Sequence, residues 1–210
     1  MHDAYEGNHS LALVRPPGHH ATADRAMGFC LFNNVAVAVR KLLAEHPSLR
    51  IAILDIDVHH GNGTEELLAQ ESRVLYASLH EWPLFPGTGG PTTTVHSVPG
   101  FATCIDVPLP QGTTGSQWEP AFEKTVIPEV HTFAPDLIVV SMGFDTLAND
   151  PLADFRLVPQ DFQHITATVA QLAATTTHGT AWVLEGGYAL PDCVDALRTV
   201  VTVLATPRQQ

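Results

Sequence analysis

The most informative segment of the sequence runs from Asp55 to Gly63 (DIDVHHGNG) and continues an apolar stretch that begins at Ile51. Side chains alternate between the two faces of an extended strand, so Asp55, Asp57 and His59 point to the same side. Two carboxylates and one imidazole can together bind a metal ion. An isolated Asp-x-Asp pair could equally be a helix cap, but the polarity of the whole run favours metal coordination.

Two adjacent histidines, His19 and His20, follow another apolar run in a rigid Pro-Gly turn (RPPGHHA, residues 15–21). Taken alone, such histidines are often solvated surface residues. Next to a metal site, however, one imidazole suits removal of a proton from water and the other suits stabilisation of charge in a transition state. The pair therefore indicates acyl-transfer chemistry.

Two more strand ends carry candidate residues. Asp145 follows the apolar run 137–142 and would complete a site with two Asp ligands, one His ligand and open positions. This donor set is typical of catalytic zinc, although its oxygen content also suits ferrous iron. Tyr188 follows two glycines after the run 180–184 and could donate its hydroxyl to an oxyanion. Considered singly, Asp145 could also be a turn residue, and Tyr188 could pack at the edge of the core.

The elements that must position these residues alternate between short β-branched runs and helical periodicity. This alternation predicts an α/β fold with a parallel sheet and helices on both faces, whose active site lies at the carboxyl edge of the strands. The predicted strands are residues 10–14, 51–56, 74–79, 137–142 and 180–184. The predicted helices are residues 33–45, 63–71, 116–133, 159–175 and 191–204. The segment 82–115 is rich in Pro, Gly and Thr and is predicted to be a long ordered loop.

Composition excludes several classes of function. The net charge of −12 disfavours direct binding to nucleic acid and favours cationic partners such as lysine-rich tails or polyamines. No stretch is long and apolar enough to cross a membrane. The three cysteines lack disulfide or zinc-site spacing, which fits a reducing, cytoplasmic location. Residues 1–210 are predicted to form a single catalytic domain.

Eight segments, in this order, resemble the histone deacetylase family, which includes acetoin-utilisation proteins and acetylpolyamine amidohydrolases. They are RPPGHHA (15–21), GFCLFNN (28–34), DIDVHHGNG (55–63), SLH (78–80), FPGTG (85–89), GFD (143–145), DPL (150–152) and EGGY (185–188). The resemblance implies the arginase-deacetylase fold. It also implies a zinc-dependent amidohydrolase that removes acetyl or other short acyl groups from lysine side chains. The ligands would be Asp57, His59 and Asp145.

The resemblance further implies a role for each surrounding residue. His20 would take a proton from water, His19 would pair with Asp55, and Tyr188 would stabilise the oxyanion. The substrate tunnel would be formed by Gly28, Phe29, Phe85 and Leu152. A structural potassium site is implied at Asp55, Asp57, His59, Ser78 and Leu79.

Two departures from the family pattern bear on these expectations. Asn62 stands where some relatives have an Asp, so the pKa of His20 should be lower than beside a carboxylate. The chain has only eighteen residues before the His-His pair, where relatives usually have about a hundred or more. We therefore expect a domain truncated at its amino terminus, which associates with itself or another polypeptide or is only marginally stable.

Alternative functions follow from the same residues. An acetylpolyamine amidohydrolase would suit the acidic composition, whereas an uncharged Leu152 at the tunnel rim favours a neutral acyl-lysine stem. The other alternative is a binding module that keeps the fold but has lost turnover through truncation.

Overall fold

The computed structural model describes residues 1–206, so residues 207–210 of the predicted domain lie outside the described part. Seven strands form one sheet in the order β1-β7-β6-β2-β3-β5-β4. The strands are β1 (His9–Ala12), β2 (Ile51–Asp55), β3 (Val74–Glu81), β4 (Thr94–His96), β5 (Thr103–Leu109), β6 (Leu137–Met142) and β7 (Thr180–Leu184). Neighbouring strands are parallel except β4, which is antiparallel to β5. The predicted α/β sheet is confirmed, with one antiparallel edge strand added.

Helices cover both faces of this sheet, as predicted. They are α1 (His2–Tyr5), α2 (Asn34–Glu45), α3 (Asn62–Leu68), α4 (Gly115–Ala121), α5 (Ile127–Phe133), α6 (Asp161–Ala173) and α7 (Leu190–Leu204). The alternation of side chains along β2 divides the core in two. Leu54 and its neighbours pack against α4 to α7, whereas Ile53 packs against α1, α2 and α3.

One part of the secondary-structure prediction was wrong, and one predicted helix is present with an irregular middle turn. The predicted loop 82–115 contains β4 and β5, where Ile105 and Val107 of β5 are buried. Pro108 within β5 and the surrounding Pro, Gly and Thr residues hide the alternation that would mark a strand. The predicted helix 116–133 is interrupted by a π-helical turn at Phe122–Val126, between α4 and α5.

The register of the central strands brings their carboxyl ends to the same level. Asp55, the last residue of β2, pairs with Ser78 of β3 and with Ser141 of β6. Met142 at the end of β6 pairs with Leu184 at the end of β7. The polar segments that follow β2, β6 and β7 therefore emerge side by side at one edge of the sheet.

A surface groove beside β1 is lined by Val14, Phe32 and Val37. These large apolar side chains are 39%, 75% and 64% exposed, respectively. The groove fits the expectation that the chain associates with a second copy of itself or with another polypeptide. This association stays a prediction. Among residues 1–206, no helix has both the length and the apolar character that a membrane span requires.

The central strand β2 should be sensitive to the loss of core volume. Ile53→Ala removes a side chain with 0% exposure, and we expect the free energy of unfolding to fall by about 2–5 kcal/mol. Val37→Ala, on the exposed face of α2, is the control and should change it by less than about 0.5 kcal/mol. Chemical denaturation measures both, and similar losses in the two variants would contradict the described core.

Candidate metal centre and active-site cavity

The three predicted metal ligands lie together beyond the ends of β2 and β6. His59 Nδ1 is 3.2 Å from Asp57 Oδ1 and 3.2 Å from Asp145 Oδ2. One donor atom from each residue lies within 4.8 Å of the others. The two carboxylates are fully or almost fully buried, while the His59 side chain is 12% exposed. The structure thus brings together all three side chains that the sequence singled out.

Backbone amides fix the orientation of these carboxylates. Gly186 N donates to Asp57 Oδ2 at 2.8 Å, and Val58 N donates to Asp145 Oδ1 at 3.0 Å. Burial and the charge of Asp57 raise the pKa of Asp145 above its ordinary value. A divalent cation between the carboxylates would remove this repulsion, and one imidazole with two carboxylates is a donor set that zinc accepts. The residues present therefore fit the expected metal.

The two histidines of the Pro-Gly turn differ sharply in their surroundings. His19 Nδ1 lies 3.1 Å from Asp55 Oδ2, and its Nε2 lies 3.7 Å from Asp57 Oδ1. Burial alone would lower the pKa of His19, but Asp57 and Asp55 raise it well above the ordinary value. These surroundings favour the protonated form of His19.

His20 packs beside His19, with ring centroids 3.9 Å apart, and has no carboxylate partner within the described residues. Its Nδ1 lies 2.9 Å from Asn62 Oδ1, which can only accept a hydrogen bond. Nδ1 therefore carries the hydrogen, and Nε2 keeps its lone pair. Burial and the charge of His19 lower the pKa of His20 to about 2.

Glu185 supports the turn that carries His19 and His20. It was missed as a site residue, although it lies in the segment EGGY (185–188). Its Oε2 accepts hydrogen bonds from Gly18 N at 2.6 Å and His19 N at 3.1 Å. It is 0% exposed, and burial raises its pKa to about 7. A carboxylate shortly after an apolar strand was the signal that identified Asp145, and Glu185 follows β7 directly.

A narrow cavity of about 40 Å³ opens above the ligand cluster, and all four predicted tunnel residues line it. Phe85 contacts the rings of His20 and His59, while Phe29 faces Tyr188 at 5.9 Å between centroids. A Cβ on Gly28 would lie 2.3 Å from His20 Cδ2, so a side chain there would fill the space beside the imidazole. The four are Gly28, Phe29, Phe85 and Leu152.

Tyr188 also lines this cavity, and two residues without an assigned role hold it in place. Its backbone N donates to Asp150 Oδ2 at 2.7 Å, and the Arg15 guanidinium lies 5.5 Å from its ring centroid. Burial and the nearby Asp145 and Asp57 raise the pKa of Tyr188 above its ordinary value. The hydroxyl therefore remains protonated and able to donate a hydrogen bond.

The residues of the expected potassium site are neighbours, but their side chains have other partners. Asp55 Oδ2 accepts from Tyr76 Oη at 3.0 Å as well as contacting His19. Ser78 Oγ lies 3.0 Å from His80 Nδ1. The potassium site at Asp55, Asp57, His59, Ser78 and Leu79 stays a prediction.

Comparisons with known proteins agree with this geometry. Residues 1–204 match the family model described as the histone deacetylase domain. The Synechocystis protein slr0245 is 42% identical over 181 residues, which cover 86% of this chain and 57% of that protein. The histone deacetylase-like amidohydrolase of Pseudomonas aeruginosa is 40% identical over 186 residues, covering 88% and 49%.

A solved structure shares the fold. The crystal structure of an acetylpolyamine aminohydrolase from Burkholderia pseudomallei matches with a TM-score of 0.84 and 31% identity, covering 96% of this chain and 57% of that one. The chain thus spans about half the length of these relatives.

Gly186 provides a test of the ligand cluster that leaves the three ligands unchanged. A Cβ at this position would lie 2.0 Å from Asp145 Oδ2, so Gly186→Ala must displace that carboxylate. We expect Zn²⁺ affinity to fall by about 10- to 100-fold in equilibrium dialysis. In the control Gly112→Ala the new Cβ meets nothing within 4 Å, so only folding stability should suffer. Equal Zn²⁺ affinities in folded samples of both variants would contradict the site.

Proposed function

Since this chain belongs to the histone deacetylase family, we propose that it is a zinc-dependent hydrolase that removes acetyl or other short acyl groups from lysine side chains. The observation that carries the proposal is the meeting of three ligand-type side chains with a neutral imidazole, a charged imidazole and a phenol around one cavity. This set matches the needs of amide hydrolysis, in which water must lose a proton, an oxyanion must be stabilised and an amine must gain a proton.

Asp57, His59 and Asp145 would hold the metal ion. When bound, zinc would supply Lewis acidity that polarises the amide carbonyl and a water molecule, and ferrous iron could do the same. The chain's own contribution is to hold the donors in place through the Gly186 and Val58 amides before any ion arrives. This arrangement lowers the reorganisation that binding requires.

His20 is the proposed general base. Its Nδ1 hydrogen is held by Asn62, so its Nε2 lone pair is available to take a proton from water. His19 has the opposite role, because its flanking carboxylates keep it charged and it can stabilise negative charge that develops nearby. One or both imidazoles would then deliver a proton to the departing amine.

Tyr188, which lines the same cavity as the metal ligands, is the proposed oxyanion donor. Phe29 and Phe85 would flank the aliphatic stem of the acyl-lysine, and the Gly28 carbonyl would accept from the substrate amide. A narrow aromatic passage suits an extended, uncharged stem and limits the access of bulk water.

The second candidate substrate class is acetylated polyamines. The net charge of −12 favours cationic amines, and the Burkholderia structure of similar fold is named for an acetylpolyamine aminohydrolase. Leu152 argues for acyl-lysine, because it lines the cavity, is 42% exposed and offers no charge to a distal ammonium. The three cysteines are free within the described residues, in keeping with the proposed cytoplasmic location.

Tyr188→Phe tests the chemistry separately from metal binding. Because only the oxyanion donor is lost, kcat on an acetyl-lysine peptide should fall about a hundredfold or more while zinc content stays at the level of the unmodified protein. Asp145→Ala should lose both turnover and the ion held by Asp57, His59 and Asp145. Tyr5→Phe, which removes a hydroxyl that contacts His46 far from the cavity, is the matched control and should keep full activity. Near-normal turnover in Tyr188→Phe would contradict the role of Tyr188 as oxyanion donor.

An inactive unmodified protein with full zinc content would favour the alternative that the chain is a non-catalytic binding module.

Leu152→Glu tests the choice of substrate. A carboxylate at the rim should attract a second ammonium, so the ratio of kcat/KM values should shift toward acetylated polyamines by about 1–2 kcal/mol, or roughly 5- to 30-fold. Val201→Glu places the same charge on exposed α7, away from the cavity, and should leave the ratio unchanged. An unchanged ratio in Leu152→Glu would show that other residues select the substrate.

A further inference from the structure

A second cluster of ligand-type side chains lies next to the first but involves none of its residues. His60 Nε2 is 3.2 Å from Glu65 Oε2 of α3 and 3.1 Å from Asp106 Oδ1 of β5. One donor atom from each residue lies within 4.8 Å of the others. His60 is 1% exposed and Asp106 is 7% exposed, whereas the Glu65 side chain is 31% exposed and connects the cluster to solvent.

Two buried atoms of this cluster lack hydrogen-bond partners. His60 Nε2 lies 3.1 Å from Asp106 Oδ1 and 3.2 Å from Glu65 Oε2, yet neither contact has the alignment of a hydrogen bond, and within residues 1–206 neither His60 Nε2 nor Asp106 Oδ1 has a hydrogen-bond partner. Leaving such atoms unsatisfied costs free energy, and buried polar atoms are normally paired. The pair of atoms therefore indicates a missing partner that both can contact, together with Glu65.

The remaining polar atoms of the cluster are held as those of metal ligands usually are. His60 Nδ1 lies 2.7 Å from Thr88 Oγ1, and Thr94 Oγ1 donates to Asp106 Oδ2 at 3.3 Å. His60 and Asp106 thus each use one polar atom to contact a neighbouring hydroxyl and turn the other toward the centre of the cluster. Such contacts orient ligands and fix the histidine tautomer in known metal sites.

We propose that His60, Glu65 and Asp106 form a second divalent metal site, distinct from Asp57, His59 and Asp145. The two clusters share a donor set of one imidazole and two carboxylates, with N···O distances of 3.1–3.2 Å in both. Donors about 2.1 Å from a tetrahedral ion lie about 3.4 Å apart, close to these values. The imidazole favours a transition ion such as Zn²⁺ or Co²⁺ over Mg²⁺ or Ca²⁺.

An ion at this second site would connect separate parts of the chain. It would join α3 to β5 and, through Thr88, would restrain the segment that carries Phe85 of the cavity. The site is therefore a structural cross-link beside the cavity, and its occupancy should raise the thermal unfolding temperature.

The test measures metal stoichiometry on the full chain, freed of metal with a chelator and then dialysed against micromolar Zn²⁺ or Co²⁺. The unmodified protein should bind two equivalents, and excess Mg²⁺ should displace neither. Glu65→Gln and Asp106→Asn each keep size while removing a charged ligand, so each should bind one equivalent tightly and the second at least about tenfold more weakly. Glu66→Gln alters the exposed neighbouring acid and should still bind two.

Asp145→Asn separates the two sites, because it damages only the first and should retain one tight equivalent. One equivalent in the unmodified protein would overturn the proposal and leave His60 as an imidazolium paired with two carboxylates. Two equivalents that survive both Glu65→Gln and Asp106→Asn would also overturn it, since the second ion would then lie elsewhere. A single equivalent in the unmodified protein overturns the proposal even if a variant fails to fold.

Discussion

The burial of Asp57 and Asp145 at the edge of an apolar sheet is the constraint on which the rest of the structure depends. Both carboxylates have at most 1% exposure, and burying an uncompensated charge costs on the order of several kcal/mol. The Gly186 and Val58 amides, His59 and the imidazolium of His19 offset part of that cost. The remaining attraction for a cation is what suits this cluster to binding a metal ion, and the same buried charges set the electrostatic surroundings of the neighbouring polar groups.

The different pKa shifts of the adjacent His19 and His20 follow from the same buried carboxylates. His19 lies among carboxylates that favour its protonated form, and a charge on His19 in turn helps to keep His20 neutral. Asn62 orients His20 without adding the negative charge of a carboxylate. Two identical side chains at adjacent positions thus have different surroundings, which fits the opposite roles proposed for them, and Glu185 holds the backbone that carries them.

The sequence predicted the fold, and it predicted three ligand-type side chains that the structure brings together, because both depend on local patterns. Apolar runs followed by Asp57 and Asp145 mark buried strands whose carboxyl ends meet at one edge, and these strands are present. The second cluster could not be found in this way. Asp106 lies in β5, which proline and its neighbours disguise as loop, so nothing in the sequence placed it beside His60. Contacts made between distant segments, such as that of Asp150 with Tyr188, leave no periodic signal.

Anomalous X-ray diffraction at the zinc absorption edge, on crystals grown with zinc, tests most directly whether Asp57, His59 and Asp145 form one metal centre. The account predicts a peak about 2.0–2.2 Å from His59 Nδ1 and from one oxygen of each carboxylate. Well-ordered crystals that show no anomalous peak among these three residues would contradict it.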